Sequence, residues 1–72
     1  MANVVLNVPD ISCEHCEHAI TTALSPVNGV REVKVDIPGK QVHVLYDDNV
    51  IGPDKMKEVL EGEDYPVESV QV

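Results

Sequence analysis

Apolar residues recur with two different periods in the first third of the chain. At every second position they share one face of Val4–Val8, which predicts a strand with one buried face. Beyond a short loop the period lengthens to that of an amphipathic helix. The apolar stripe of this helix consists of Cys16, Ala19, Ile20, Ala23 and Leu24. Because the residue before a proline avoids the helical conformation, Ser25-Pro26 is predicted to end the helix.

A hairpin is predicted in the middle of the chain. Val33, Val35 and Ile37 alternate with charged residues, which is the two-residue period of a sheet that is wet on one face. Pro38-Gly39 suits the two central positions of a type II turn. The returning strand is therefore predicted over Gln41–Tyr46, with its apolar residues on one side.

A second helix and a last strand complete the pattern. Gly52-Pro53 opens the helix, since proline fits the first helical position, and Gly62 is its predicted C-terminal stop. Val67–Val72 is the last strand. The order β-α-β-β-α-β predicts an α+β fold, a ferredoxin-like sandwich in which a four-stranded antiparallel sheet carries both helices on one face. No linker or repeat interrupts this order, so residues 1–72 are predicted to form a single domain.

Charge and composition restrict the partners. Thirteen acidic residues against five basic ones give a formal net charge of −8, so nucleic acid and anionic membrane surfaces would be repelled. No apolar run approaches the roughly 20 residues of a membrane helix. The N-terminal sequence lacks a basic region followed by an apolar stretch, the pattern of a secretory signal. A cytoplasmic location is therefore expected.

The feature that carries chemistry is Cys13-Glu14-His15-Cys16, placed where the first loop becomes a helix. Two cysteines three positions apart at a helix start can direct both sulfurs at one small object, and the loop position predicts that they are exposed. The N–H groups of the first turn and the positive end of the helix dipole favour the thiolate form. Because thiolates are soft ligands, the motif predicts a site for a soft or borderline metal.

The number of ligands narrows the choice of metal. A structural zinc site closes with four ligands, whereas this chain has two cysteines. His15 is a candidate auxiliary ligand, while the helical stripe turns His18 to the side. Two thiolates are sufficient to bind Cu(I), and such low coordination leaves the metal open to an incoming thiolate. The residues therefore favour a carrier that passes Cu(I) on by ligand exchange.

A thiol-disulfide redox protein is the competing interpretation, since Cys-x-x-Cys at a helix start is also the oxidoreductase arrangement. The chain is short for a thioredoxin-like fold, and no aromatic residue precedes Cys13. Its three histidines are scattered, which disfavours a hydrolytic enzyme. We therefore predict a protein that is not an enzyme.

The chain resembles the heavy-metal-associated domain family, which includes bacterial copper chaperones and the N-terminal domains of copper-transporting P-type ATPases. The family motif, Met-x-Cys-x-x-Cys after the first strand, stands here as Ile11-Ser12-Cys13-Glu14-His15-Cys16. The resemblance covers essentially the whole chain. It implies that Cys13 and Cys16 are the Cu(I) ligands.

Three further residues are implied to surround these ligands. Ile11 replaces the usual methionine and would pack beneath the loop, and Ser12 lies next to it in the motif. An aromatic residue after the second helix is also similar to bacterial members, so that Tyr65 would lie beside the metal loop. The glycine that normally precedes this aromatic is Asp64 here.

The resemblance implies a soluble metallochaperone that transfers Cu(I) to a copper-transporting P-type ATPase or a similar acceptor. The alternatives are a metal-binding regulatory domain of such an ATPase, and Zn(II) or Hg(II) in place of copper. Without metal the chain is expected to be a monomer, while copper shared through His15 would give a metal-bridged dimer. One acidic run is either a solvated face or a docking surface for a basic partner. This run consists of Glu58, Glu61, Glu63 and Asp64.

Overall fold

Helices and strands follow one another in the predicted order. The computed structural model describes residues 2–12 and 14–71, and Met1, Cys13 and Val72 lie outside the described residues. The elements are β1 (Ala2–Asn7), α1 (Glu14–Leu24), β2 (Val30–Asp36), β3 (Gln41–Tyr46), α2 (Pro53–Gly62) and β4 (Ser69–Gln71). Two strands differ from their predicted bounds: β1 is shifted toward the N-terminus, and the described part of β4 is shorter than predicted. β1 ends at Asn7, because the Lys40 N–H opposite Val8 donates to the Ile37 carbonyl within the hairpin turn and the ladder stops there. Within the described residues β4 begins only after Glu68.

The strands form one sheet in the order β2-β3-β1-β4, and every neighbouring pair is antiparallel. Val4 and Leu6 of β1 stand opposite Val44 and Val42 of β3, so both strands bury the same face. The core combines residues of the sheet, both helices and the connecting loops. It consists of Val4, Leu6, Val8, Ile11, Cys16, Ile20, Leu24, Val42, Val44, Tyr46, Ile51, Met56, Leu60 and Val67. The ferredoxin-like sandwich is confirmed.

Both helices are short. Among the described residues, no helix has the length and apolar character required to cross a membrane.

An extra residue in β2 changes the spacing of its inward side chains. Val30 pairs with Tyr46 and Glu32 with Leu45, so Arg31 is a β-bulge. The bulge lets Val30 pack against the core together with Val33 and Val35, although the spacing between them is uneven.

The hairpin between β2 and β3 is confirmed, but its turn is not of type II. A type II turn needs a positive φ at Gly39. The residue with the left-handed backbone is instead Lys40, whose φ is 54°. The Lys40 N–H donates to the Ile37 carbonyl at 3.2 Å and closes the turn. A left-handed residue directly after a turn matches the twist of the two strands, which explains why this geometry is favoured.

The hairpin lies beside the end of β1, because Asn7 pairs with Gln41. The Asn7 side chain ties three strands together at this edge. Its Nδ2 donates to Ser69 Oγ at 2.7 Å, and Gln41 Nε2 donates to its Oδ1 at 3.1 Å. The first loop therefore leaves the sheet from a braced end.

Candidate metal site

The described part of the loop between β1 and α1, residues 8–12, is fixed to the body of the protein. The Val8 N–H donates to the Lys40 carbonyl at 2.9 Å, and the Ile11 N–H donates to the Val8 carbonyl at 3.2 Å. The Ile11 side chain is fully buried in the core. An isoleucine thus fills the space beneath the loop, as expected for the residue that replaces the family methionine.

Cys16 is the third residue of α1 and begins its buried stripe. Ile20 and Leu24 follow on the same face, both fully buried. Cys16 is 9% exposed, so the expectation of an exposed thiol is wrong for this residue. The physical reason is the helical period, which aligns position 16 with positions 20 and 24 and places its sulfur at the rim of the core.

Two polar atoms of the loop approach the Cys16 sulfur. The thiol donates to the Asp10 carbonyl across 3.8 Å, and Ser12 Oγ lies 3.9 Å from Sγ. A hydroxyl can act as donor or acceptor, so Ser12 can accept from a thiol and donate to a thiolate. The loop therefore bends around the sulfur, and its polar atoms suit both protonation states.

Cys13 lies outside the described residues. Its role as a ligand, and the approach of its sulfur to that of Cys16, stay predictions. The described residues on either side agree with the predicted context, because Ser12 belongs to the loop and α1 begins at Glu14. Glu14 and Glu17 occupy the first turn of α1, where carboxylates complement the helix dipole.

The histidines of the motif region lie on the outer face of α1. His15 and His18 are exposed and line a shallow depression together with Glu14, Glu17 and Thr21. Within residues 2–12 and 14–71, no group of three or more His, Cys, Asp or Glu side chains is arranged to hold a metal ion. Met56 is fully buried in α2 and packs in the core. The structure thus leaves Cys16 as the described soft side chain beside the loop.

The end of α2 brings Tyr65 back onto the core. The Tyr65 N–H donates to the Leu60 carbonyl at 2.9 Å, and the Asp64 N–H donates to the Glu61 carbonyl at 3.2 Å. These two bonds form a Schellman motif, which requires a left-handed residue after the helix. Asp64 supplies it with a φ of 66°, in the position where the family has glycine. The helix does end at Gly62, and the half-buried Tyr65 side chain packs against the core.

Lys40 is a loop contact that the sequence does not indicate. Its Nζ donates to the Pro9 carbonyl at 3.3 Å, across a separation of 31 positions. Local patterns cannot pair residues so distant. The contact depends on the register that sets the hairpin beside the end of β1.

Comparison with known proteins identifies the family of this chain. The family model described as "Heavy-metal-associated domain" matches residues 5–66. The copper chaperone CopZ of Staphylococcus haemolyticus is 43% identical over 67 residues, which cover 93% of this chain and 98% of the relative.

Solved structures with the same fold agree as well. The structure titled "CopZ metallochaperone" has a TM-score of 0.88 and 36% identity, covering 92% of this chain and 98% of that one. A chain in the solution structure of the Atx1–Cu(I)–Ccc2a complex has a TM-score of 0.79 and 26% identity, covering 96% and 90%. The resemblance found in the sequence is confirmed: this chain belongs to the heavy-metal-associated domain family.

Proposed function

We propose that this chain is a copper chaperone, a single domain over residues 1–72 that binds one Cu(I) and delivers it to a copper-transporting P-type ATPase. The observation that carries the proposal is the full-length similarity to a copper chaperone, with Cys16 in the first turn of α1 beneath a fixed loop. The protein is a carrier and not an enzyme. It acts in the cytoplasm, where thiols stay reduced.

Cys13 and Cys16 are the proposed ligands. Two thiolates and one Cu(I) carry one net negative charge, which the N–H groups and dipole at the start of α1 stabilise. When Cys16 loses its proton, its hydrogen bond to the Asp10 carbonyl is lost, while Ser12 Oγ, 3.9 Å away, can donate to the sulfur. The low exposure of Cys16 keeps competing water away from this side of the metal.

Transfer proceeds by thiolate exchange. A thiolate of the acceptor adds to the two-coordinate Cu(I), and a three-coordinate species forms. One sulfur of the carrier then leaves and takes up a proton, and a second acceptor thiolate replaces the remaining sulfur in the same way. No step oxidises or reduces the metal, and no step releases it to water.

Competition with a Cu(I) chelator tests the ligands. The reduced wild-type protein should withdraw one equivalent of Cu(I) from the chelator, and a variant carrying both Cys13→Ser and Cys16→Ser should withdraw almost none. Met56→Leu, a volume-conserving change in the core, is the control for a thioether ligand and should leave the affinity unchanged. Equal affinities of the double variant and the wild type would overturn the proposal.

Cu(I) is favoured over Zn(II) and Hg(II) for different reasons. Zn(II) prefers four ligands in closed sites, whereas the chain contains two cysteines. Hg(II) also accepts two thiolates, so only a direct comparison separates it from copper. Metal analysis of protein purified anaerobically from its native cells should find copper, and a preparation that contains mercury or zinc instead would change the assignment.

The surface around the loop end favours a basic partner. Exposed acidic side chains lie on the first loop, in the first turn of α1 and along the last part of α2 and the residues after it. They are Asp10, Glu14, Glu17, Glu58, Glu61, Glu63 and Asp64. The Atx1–Cu(I)–Ccc2a complex shows that members of this fold group associate in the presence of Cu(I). We infer that the ATPase domain presents basic residues to this end, since complementary charge speeds association.

Salt and charge variants test this docking. Raising the ionic strength from about 50 to about 500 mM should slow association with the ATPase domain several-fold. Glu61→Gln with Glu63→Gln should slow it at low salt. The matched pair Asp48→Asn with Asp54→Asn removes the same charge at the opposite end of the molecule and should have little effect. An association rate independent of salt would mean that the acidic face serves only solvation.

His15 is proposed as an auxiliary ligand in a copper-bridged dimer. It is exposed in the first turn of α1, next to the proposed ligands. Sedimentation of the metal-free protein should show a monomer, and excess Cu(I) should produce a dimer. His15→Ala should weaken the dimer and His18→Ala, on the same exposed face, should not. Identical dimerisation of both variants would remove His15 from the site.

Tyr65 is proposed to cover the metal from the side of α2. Its half-buried ring packs against the core directly after the Schellman motif. Tyr65→Phe keeps the ring and should change the rate of Cu(I) loss little, whereas Tyr65→Ala should raise it. Equal rates for the wild type and both variants would remove Tyr65 from the site.

A further inference from the structure

The backbone of Lys40 has a conformation that favours glycine. Its φ is 54°, in the left-handed region, where an L side chain costs energy and glycine does not. The preceding residue is Gly39, so the chain has a glycine in this turn but does not place it at the strained position. Strained residues persist when the surrounding structure holds them in place, so the contacts of Lys40 decide its role.

The backbone and side chain of Lys40 connect the hairpin to the loop. Its N–H donates to the Ile37 carbonyl within the turn, and its carbonyl accepts from the Val8 N–H at 2.9 Å. Its ammonium reaches one residue further along the loop and donates to the Pro9 carbonyl at 3.3 Å. Backbone and side chain thus hold two consecutive residues at the point where β1 becomes the loop.

The segment held by Lys40 leads directly to the Cys16 sulfur. Asp10 follows Pro9, and its carbonyl accepts the hydrogen bond from the Cys16 thiol. Ile11 closes the turn back to Val8. Cys16 is only 9% exposed, and Asp10 and Ser12 lie against its sulfur, so displacement of this part of the loop would expose that sulfur.

We propose that the Lys40 side chain is a positioning residue that clamps the loop at Pro9 and slows the opening through which Cu(I) passes to an incoming thiolate. This inference rests on the proposed copper transfer. The clamp itself is a property of the metal-free protein and can be measured without copper.

Amide hydrogen exchange in the reduced, metal-free protein tests the clamp. Lys40→Met removes the ammonium but keeps the length of the side chain, and should accelerate exchange of the Ile11 amide by about 3- to 10-fold. The Val8 amide is an internal control, because its bond to the Lys40 carbonyl does not involve the side chain. Lys40→Arg should restore protection. Lys55→Met, at an exposed lysine of α2, is the matched charge control and should change neither amide.

Lys40→Gly separates the side chain from the strain. It loses the same hydrogen bond as Lys40→Met but relieves the left-handed backbone. The Ile11 amide should therefore exchange equally fast in Lys40→Gly and Lys40→Met. The urea midpoint of Lys40→Gly should be the higher of the two. If Lys40 had only a structural role, the urea midpoint and the protection of the Ile11 amide would fall together in both variants.

Copper transfer supplies the functional measurement. Stopped-flow transfer of Cu(I) to a dithiol acceptor should be about 3- to 10-fold faster for Lys40→Met than for the wild type or Lys55→Met, in proportion to the Ile11 exchange rates. Unchanged Ile11 exchange, or unchanged transfer despite faster exchange, would overturn the inference. Failure of the proposed function has a different signature, since Cu(I) affinity would then survive replacement of both cysteines.

Discussion

The two ends of the sandwich solve the same backbone problem with different residues. At the end away from the loop, the turn into β2 needs a positive φ, and Gly29 provides it at 97°. At the loop end, two turns need the same conformation, and Lys40 and Asp64 adopt it with φ values of 54° and 66°. Among the described residues, those other than glycine with a left-handed backbone both lie at the loop end, and backbone strain tends to cluster at functional sites.

The far end also shows why its glycine cannot be replaced. A Cβ on Gly29 would lie 2.8 Å from Ile51 Cγ2 and 2.9 Å from Val50 Cγ1. The Gly29 carbonyl in addition accepts from the Asp47 N–H at 2.8 Å, which fixes this backbone against the end of β3. Conformation and packing both require glycine here.

Replacing Gly29 gives the largest expected effect on stability. Gly29→Ala should lower the free energy of unfolding by about 2–4 kcal/mol, because left-handed strain and overpacking add. Urea unfolding of the reduced, metal-free protein measures the change.

Gly62→Ala is the control for this substitution. Its Cβ would meet nothing within 4 Å, and alanine is the better helix former, so stability should stay equal or rise. Equal stabilities of the Gly29→Ala variant and the wild type would show that the far end is as tolerant as the loop end.

Relieving strain at the loop end gives a smaller effect of opposite sign. Asp64→Gly should raise the free energy of unfolding by about 1 kcal/mol, because glycine suits a positive φ and because the change removes a carboxylate from the negative end of α2. The same urea titration measures it.

The neighbouring residue is the matched control for Asp64. Glu63→Gly removes an equal charge. Because the φ of Glu63 is −99°, this substitution relieves no left-handed strain and should not raise the free energy of unfolding through the backbone. A gain of the same size in both variants would assign the effect to charge and not to conformation.

Most of the fold could be predicted from the sequence, because the hydrophobic periodicity and the positions of proline and glycine indicate the same elements along the chain. Alternation gave β2 and β3, the helical stripe gave α1, and Gly52-Pro53 opens α2 as predicted. The prediction of a type II turn was wrong. Pro38-Gly39 is compatible with such a turn, but the twist of the two strands favours a left-handed residue directly after the turn, and this residue is Lys40. β1 ends before Val8 because the Lys40 N–H closes the hairpin turn instead of extending the ladder.

The site was predictable only in part. The motif located Cys16 and Ile11, and the helical stripe through position 16 was itself the signal that its sulfur would be nearly buried. The contact of Lys40 with Pro9 could not be read from the sequence, since it depends on tertiary register. The left-handed backbone of Asp64 did have a signal in the sequence, since Asp64 stands at the position where the family has glycine.

The smallest expected effect concerns Ser12, which touches the site without straining it. Its Oγ lies 3.9 Å from Cys16 Sγ and the residue is exposed, so the hydrogen bond is weak. Ser12→Ala should weaken Cu(I) affinity by no more than about threefold, as measured by chelator competition. A loss of a hundredfold would make Ser12 essential to the ligand set, and the loop end would then depend on this side chain more than on Lys40.

The most direct test is the sulfur coordination of the bound metal. X-ray absorption at the copper edge of the reduced protein, loaded with less than one equivalent of Cu(I), should show two sulfur neighbours. The variant with both Cys13→Ser and Cys16→Ser should hold no copper after gel filtration. Nitrogen or oxygen neighbours in place of the two sulfurs in the wild type, or copper retained by the double variant, would contradict the assignment of Cys13 and Cys16 as the ligands of a copper carrier.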